Sequence, residues 1–451
     1  MSMTLPIALT NILARECVER TFDTLPADIV AIAQQCVLDW LGVAMLGSQE
    51  PLVNILIDEA IESGGEGSCP LIGRSIKLGM LDAALINGAA AHALDYDDGN
   101  RAGGHLSAPI ASALMALAYQ LNADGRDVVT AFVAGYELCA RIGHLLLPDH
   151  YARGFHATAT LGTFGATAAC ARLLGLNAEQ TAIALGIAAT EAAGLIANFG
   201  TMCKPFHVGQ AARNGLLAAR LARRGFTARA DLLEHTYGFA KSHSDDYRVE
   251  AALAEPPGGF HLRANVFKFH AACAGTHSTI EALNTLRIEH DIQPDQIARV
   301  VVHMAPNLDR VCNVAEPRSG LEIKFSLRMT AALALAGYDT SDPALFTDTT
   351  AQQPDLIALR NRIVINPSEE IASLATKVEV ELANAQVFTA TRAADLPESD
   401  IATQGSKVAN KFRRLTKPLV GVLQSEALVH GLNTLSEQGS LRKLLDTAVP
   451  S

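Results

Sequence analysis

From residue 29 to about residue 260 the chain repeats one pattern, in which alanine-rich segments carry apolar residues three and four positions apart and short breaks separate them. That spacing matches one face of an amphipathic helix rather than the strict alternation of a half-buried strand. The clearest segments are 29–46, 80–96, 108–121 and 127–146. Breaks such as NADGRD (122–127) and LGLNAEQ (174–180) supply the Gly, Asn and Asp that stop and start helices. Alanine favours helix and lets neighbouring helices approach closely. The pattern predicts an all-helical domain.

Near residue 265 the pattern changes. ARVVVHMA (298–305), RIVINP (362–367) and KVEVELAN (377–384) are β-branched runs that read as half-buried strands, while 324–338 and 344–348 return to helical composition. The helical period resumes over 399–435. A chain of 451 residues exceeds what one core usually supports. The expected fold class is therefore mainly α. A large all-helical domain (1–265) is completed by a C-terminal return (397–451), and a smaller α+β domain (266–396) is inserted between them.

Net charge is −11, from 36 basic and 47 acidic residues, so the global field repels nucleic acid and anionic membranes. Apolar residues make up 49% of the chain, yet no uninterrupted apolar run approaches the roughly 18 residues of a membrane span. The N-terminus lacks the basic and apolar regions of a secretory leader, which leads to a cytoplasmic expectation. Eight cysteines are scattered without a C-x-x-C pair, which speaks against zinc ribbons, iron–sulfur clusters and a disulfide framework. The expectation is core thiols, no cofactor and no metal. An anionic substrate would need a local group of cations that overrides the general field.

Four segments concentrate chemistry. In the first, His92, Asp95, Asp97 and Asp98 are followed by Gly99, Gly103, Gly104 and His105, at a helix-to-loop transition where side chains can converge. The alternative is that Asp97 and Asp98 only solvate a loop. The acidic spacing does not fit a calcium loop. In the second, His156 of GFHATAT opens a helix, beside unpaired backbone N–H groups that suit a carboxylate, or serves as an ordinary packing residue. In the third, Lys204 precedes Pro205, which predicts an extended backbone there, and its partner is either a carboxylate ligand or an internal acid such as Asp95. In the fourth, Lys268 lies between Phe267 and Phe269 where the composition shifts. It reads as a base or anion clamp, or as a lysine whose stem packs while its amine reaches water.

HALDYDDG with His105, GFHATATLGTFGA, KPFHVGQAARNG and FKFHAACAGTHS resemble, in order and spacing, the signatures of the MmgE/PrpD family, which includes 2-methylcitrate dehydratases, cis-aconitate decarboxylases and iminodisuccinate epimerase. The resemblance covers roughly residues 28–335. It implies a large helical domain made by both chain ends, an inserted α+β lid, a homodimer, and an active site between the domains. By that resemblance Asp95, His105 and Lys268 fall at catalytic positions, and His156, Lys204 and Gly99 at substrate-binding ones. Two departures stand out. Cis-aconitate decarboxylase-like members carry threonine at the position of Gly99 and tyrosine at that of Leu327, which places decarboxylation last among the three activities.

Dehydration and epimerisation next to a carboxylate both begin with removal of an α-proton, and the carbanion that results needs nearby positive charge in a water-poor cleft. His105, oriented by Asp95, is the expected general acid/base, because its ordinary pKa lies near neutrality. His156 and Lys204 are expected to bind carboxylates, with Lys268 a second base; the opposite assignment of base and clamp stays open. The leading expectation is a 2-methylcitrate- or citrate-type dehydratase, the first rival an epimerase of an imino- or amino-dicarboxylate. A non-catalytic polycarboxylate binder is the third reading.

Overall fold

The computed structural model describes residues 8–449 apart from positions 373 and 395. The chain divides into two compact units, one made of residues up to Phe267 together with those from Glu398 onward, the other running from Lys268 to Pro397. The chain is mainly α.

The first unit is built from helices α1 (Leu9–Glu19), α2 (Ala27–Gly47), α3 (Pro51–Glu62), α4 (Met80–His92), α5 (Ser107–Leu121), α6 (Gly125–Leu146), α7 (Ala157–Leu173), α8 (Ala178–Glu191) and α9 (Cys203–Arg223), with short turns between them. Caps mark several starts. Asp124 accepts from the Asp127 amide before α6, and Asn177 with Gln180 forms a reciprocal capping box before α8. α2 is long and apolar enough to cross a membrane, but most of its surface is buried within this unit. Trp40 of α2 is 1% exposed and donates its indole N–H to Ser112 Oγ of α5 at 2.8 Å. Burying one such large apolar side chain contributes about 1.5–3 kcal/mol.

Glycine sets a close helix crossing near the site. A Cβ on Gly88 of α4 would lie 2.9 Å from Gly209 Cα of α9, and one on Gly209 would lie 2.2 Å from the Leu85 carbonyl oxygen. Only glycine at both positions lets α4 and α9 meet backbone to backbone. His92 ends the first of these helices and Lys204 begins the second.

The C-terminal return is α12 in chain order (Ile401–Asn433), after α10 (Ala274–Glu289) and α11 (Leu327–Leu335) of the second unit. α12 packs along α2, with Phe412 against Gly42. It bends at Gly421, which has φ 76°, three residues after Pro418 removes a helical donor.

The second unit holds a four-stranded sheet among the described residues: β1 (Ile297–Met304), β2 (Ile363–Pro367), β3 (Ala375–Leu382) and β4 (Val387–Ala393). The order is β2-β1-β3-β4, with β1 parallel to β2 and antiparallel to β3. Residues Val378 and Val380 of β3 are buried while Lys377 and Glu379 are not, the alternation of a sheet covered on one face. α10 packs on β3 and β4, and α11 on β2. The sequence reading takes in the first three strands and misses β4, whose VFTATRA has Thr at its alternate positions and no fully buried residue. The segment 344–348 is no continuous helix: one 3-10 turn ends at Leu345 and a short α turn begins at Asp348. Leu327 is fully buried in a cluster with Cys273, Met304, Leu308 and Cys312. That packing position suits an apolar residue.

Candidate active site

The helix expected over 80–96 ends at His92, and residues 93–98 form a turn instead. Asp95 takes a left-handed conformation, φ 51°, which an Asp tolerates better than most residues. The turn folds back so that Asp97 meets the last residue of α4. Asp97 and Asp98 are each 1% exposed, so they do not solvate a loop.

His92 Nδ1 lies 3.0 Å from both carboxylate oxygens of Asp97, and His105 Nδ1 lies 3.2 Å from Asp97 Oδ2. One carboxylate thus sits between two imidazoles whose ring centroids are 4.7 Å apart. A carboxylate at Nδ1 keeps the proton there and leaves Nε2 as the acceptor. His105 Nε2 stands 3.7 Å from Asp95 Oδ1, which also takes the Lys204 ammonium at 2.6 Å. Asp97, rather than the expected Asp95, is therefore the carboxylate at Nδ1; Asp95 lies by the other nitrogen and is held by Lys204.

The cluster has two layers. The side chains of His92 and Asp97 are 0% and 2% exposed, whereas those of His105, Asp95 and Lys204 are 17%, 17% and 14% exposed. Burial raises and the His105 and His92 rings lower the Asp97 pKa, and the rings win, so Asp97 stays ionised far below the usual carboxylate range. Burial lowers the His92 pKa to about 4 against the pull of Asp97.

His156 precedes the first residue of α7, as expected, and its Nδ1 lies 3.3 Å from His207 Nδ1. Its pKa falls to about 2, first through burial and then through the charges of His92, Lys204, His207 and His105. Burial thus holds the His156 ring neutral, so that it offers hydrogen bonds rather than positive charge. Phe199 closes on it edge-on at 4.9 Å, and the same ring lies 5.2 Å from Lys204 Nζ.

Lys204 occupies the first turn of α9 rather than the extended segment predicted from Pro205. The first four N–H groups of a helix have no internal partner, so a proline in the first turn removes no helical hydrogen bond. His207 follows one turn later on the same helix.

Gly99 pairs its backbone with Val266, accepting and donating at 2.8 and 2.9 Å. A Cβ there would meet only Gly104 backbone atoms at 3.6–4.0 Å, so the fold does not demand glycine. Gly104 differs, with φ 84° and Thr158 Oγ1 2.6 Å from where a Cβ would stand. Lys268 opens the second unit and is 6% exposed. The structure thus brings Asp95, His105, His156 and Lys204 together in the first unit. Sequence reasoning left Asp97 open between a converging carboxylate and a loop solvator, and it did not single out His207 and Phe199, although both lie in or beside the segments it named.

His92, Asp95 and His105 are the grouping among the described residues whose donor atoms come close enough for a shared metal ion, all within 4.8 Å. The Lys204 ammonium, 2.6 Å from Asp95, opposes a cation at that place. Seven of the eight cysteines are buried, and Cys203 is exposed.

A mainly helical protein that sets a buried His–Asp pair behind a half-buried imidazole, carboxylate and lysine carries groups able to exchange protons and to attract anions. More narrowly, the chain belongs to the MmgE/PrpD family: residues 11–252 match its N-terminal domain and residues 270–432 its C-terminal domain. It is 28% identical to a cis-aconitate decarboxylase of Aspergillus terreus, across 95% of this chain and 94% of that protein. It is 30% identical to the cis-aconitate decarboxylase-like protein oryM of Aspergillus oryzae, across 65% and 63%. The cis-aconitate decarboxylase of Homo sapiens is 28% identical, across 80% and 78%.

Proposed function

We propose that this protein is a cofactor-independent enzyme that moves a proton on a carbon next to a carboxylate of a small polycarboxylate, with dehydration of a 2-methylcitrate- or citrate-type acid as its first reading. The observation that carries the proposal is the placing of Asp97 between two imidazoles, with His105 Nε2 turned toward Asp95 and Lys204. His105 Nε2 takes the α-proton, and Asp97 and Asp95 stabilise the imidazolium that forms. Lys204 exchanges its hold on Asp95 for a substrate carboxylate, and His156 donates or accepts a hydrogen bond as a neutral ring. Charge then develops on the substrate carboxylate opposite an ammonium in a site largely closed to water, where such attraction is strongest. The C–O bond breaks as the departing hydroxyl takes a proton from the His105 imidazolium and leaves as water, which returns His105 to its neutral form.

Decarboxylation of cis-aconitate is the second reading, favoured by the names of the relatives. It uses the same groups in another order: a C–C bond breaks to release carbon dioxide and the acid returns a proton to carbon. Gly99 argues for the first reading by its resemblance-based departure from threonine. The space beside it makes Gly99→Thr a tolerated substitution, and a gain of decarboxylation in that variant would support Gly99 as a selector between the two.

Proton NMR in deuterated water with citrate, 2-methylcitrate, cis-aconitate and an aspartate-derived imino acid separates the outcomes. A new vinylic proton from citrate, or collapse of the 2-methylcitrate methyl doublet to an allylic singlet, supports dehydration, and a terminal methylene with release of carbon dioxide supports decarboxylation. Deuterium at the α-carbon with inverted configuration means epimerisation. Thermal stabilisation by these acids without turnover makes the protein a binder and overturns the enzymatic reading. Activity is expected to survive exhaustive treatment with a chelator; loss that a metal ion restores overturns the cofactor-independent mechanism.

A further inference from the structure

Beneath the turn that carries Asp95 and Asp97 lies a charged pair that the proposed reaction never touches. Lys411 Nζ of α12 and Asp39 Oδ1 of α2 are 2.7 Å apart, with side chains 4% and 1% exposed. Lys411 also donates to the Tyr96 carbonyl oxygen at 2.6 Å, with its ammonium 4.0 Å from the Tyr96 ring centroid. Asp39 Oδ2 accepts from the Asp98 backbone N–H at 3.1 Å. The two backbone groups bracket residue 97.

Stability alone is a poor account of this arrangement. Withdrawing two charges from water is costly, and well-packed apolar replacements of buried ion pairs are often no less stable. Burial works against both charges, raising the Asp39 pKa and lowering that of Lys411 in spite of their attraction. Other contacts already brace the turn: Asp98 Oδ2 accepts from Ser107 Oγ at 2.7 Å and from Asn265 Nδ2 at 3.0 Å. Those bonds hold the Asp98 side chain. Lys411 and Asp39 instead hold backbone on either side of Asp97, where an error is transmitted directly to the Asp97 carboxylate and to the adjacent Asp95.

We propose that Lys411 and Asp39 are positioning residues that clamp the Tyr96 carbonyl and the Asp98 amide, and so keep the Asp97 carboxylate against Nδ1 of His105. The inference rests on the reading of His105 as the base, and it gives the C-terminal return a direct part in the site. The polar contact, not the charge, is what the clamp requires at Tyr96.

The test compares the double variant Asp39→Asn with Lys411→Met against the double variant Asp39→Asn with Lys411→Gln, both in the full chain. Both remove the buried charges, and the amide introduced at position 39 keeps an acceptor for the Asp98 N–H. Only the glutamine at position 411 keeps a donor for Tyr96. Melting temperatures of the two variants should match. On whichever acid the wild type turns over, the Met variant should lose about 100-fold in kcat with KM changed by less than about threefold, while the Gln variant recovers most of the rate. A second readout is independent of turnover: in 15N-histidine-labelled protein, the downfield imidazole N–H signal that Asp97 shares with His105, identified by its absence in His105→Gln, should vanish in the Met variant and persist in the Gln variant. Equal rates, or the same signal in both folded variants, would overturn the clamp. Should the wild type turn over no acid in the panel, the proposed function fails while the imidazole signal still decides the clamp. If the Met variant is insoluble, Lys411→Gln alone serves, and loss of the His105 signal there despite a retained donor overturns the proposal.

Discussion

Two histidines five and eight residues from Asp97 share its carboxylate, yet they face different environments and carry different predictions. His105 is the half-buried member. Replacing it by Gln should lower kcat by about 100- to 10,000-fold with an unchanged circular dichroism spectrum, the range removed with a general base; near-normal turnover would eliminate it as the catalyst. His92 is the sealed member, with a folded pKa of about 4 against an ordinary value of about 6.5. The folded protein refuses a proton that the unfolded chain accepts, so the contribution of neutral His92 is fully present above about pH 6.5 and is lost progressively as pH falls to about 4. The total is up to about 3 kcal/mol. Asp98, which burial and the Asp39 carboxylate push upward, acts in the opposite sense, and it is common to wild type and variant. Urea melts of His92→Asn, whose amide can still donate to Asp97, should therefore fall less steeply with pH than the wild type between about pH 6.5 and about pH 4. Parallel curves would show that His92 is not held neutral.

At the scale of elements, the crossing of α4 and α9 couples packing to the site. Gly88 and Gly209 meet with no room for a side chain, and these helices deliver His92 and Lys204. Gly209→Val should destabilise the protein by about 1–3 kcal/mol through overpacking. It should also lower kcat/KM more than a comparably destabilising substitution far from the site, because it separates Lys204 from Asp95. An activity loss equal to that of the distant control would confine the effect to stability. The helix period was readable at this scale, whereas the end of α4 at His92 was not. Residues 93–96 continue an apolar pattern, and the chain leaves the helix because His92 and Asp97 pair across the turn.

At the scale of the whole molecule, an acidic chain keeps its site cations close to carboxylates: Lys204 on Asp95 and Lys411 on Asp39. The C-terminal return completes the first unit by covering α2, whose buried residues include Leu38, Leu41 and Met45. Truncation after residue 397 should leave that face open and abolish soluble expression; a soluble, cooperatively melting truncated protein would show that α12 is dispensable to the fold. The same truncation removes Lys411, so the C-terminal segment bears on both stability and the proposed clamp.

Taken alone, the order of residues determined the helical class, the return of the C-terminal segment to helix, three of the four strands of the second unit's sheet, and the segments holding Asp95, His105, His156 and Lys204. These were legible because helix period, β-branching and local clustering are properties of neighbours. Tertiary structure alone decided that Asp97 is buried between two rings, that His156 is neutral, and that Lys411 reaches the Tyr96 carbonyl from 315 positions away. The physical reason is that charge state and hydrogen-bond partner depend on which distant groups displace water from a side chain, and no local pattern records that displacement.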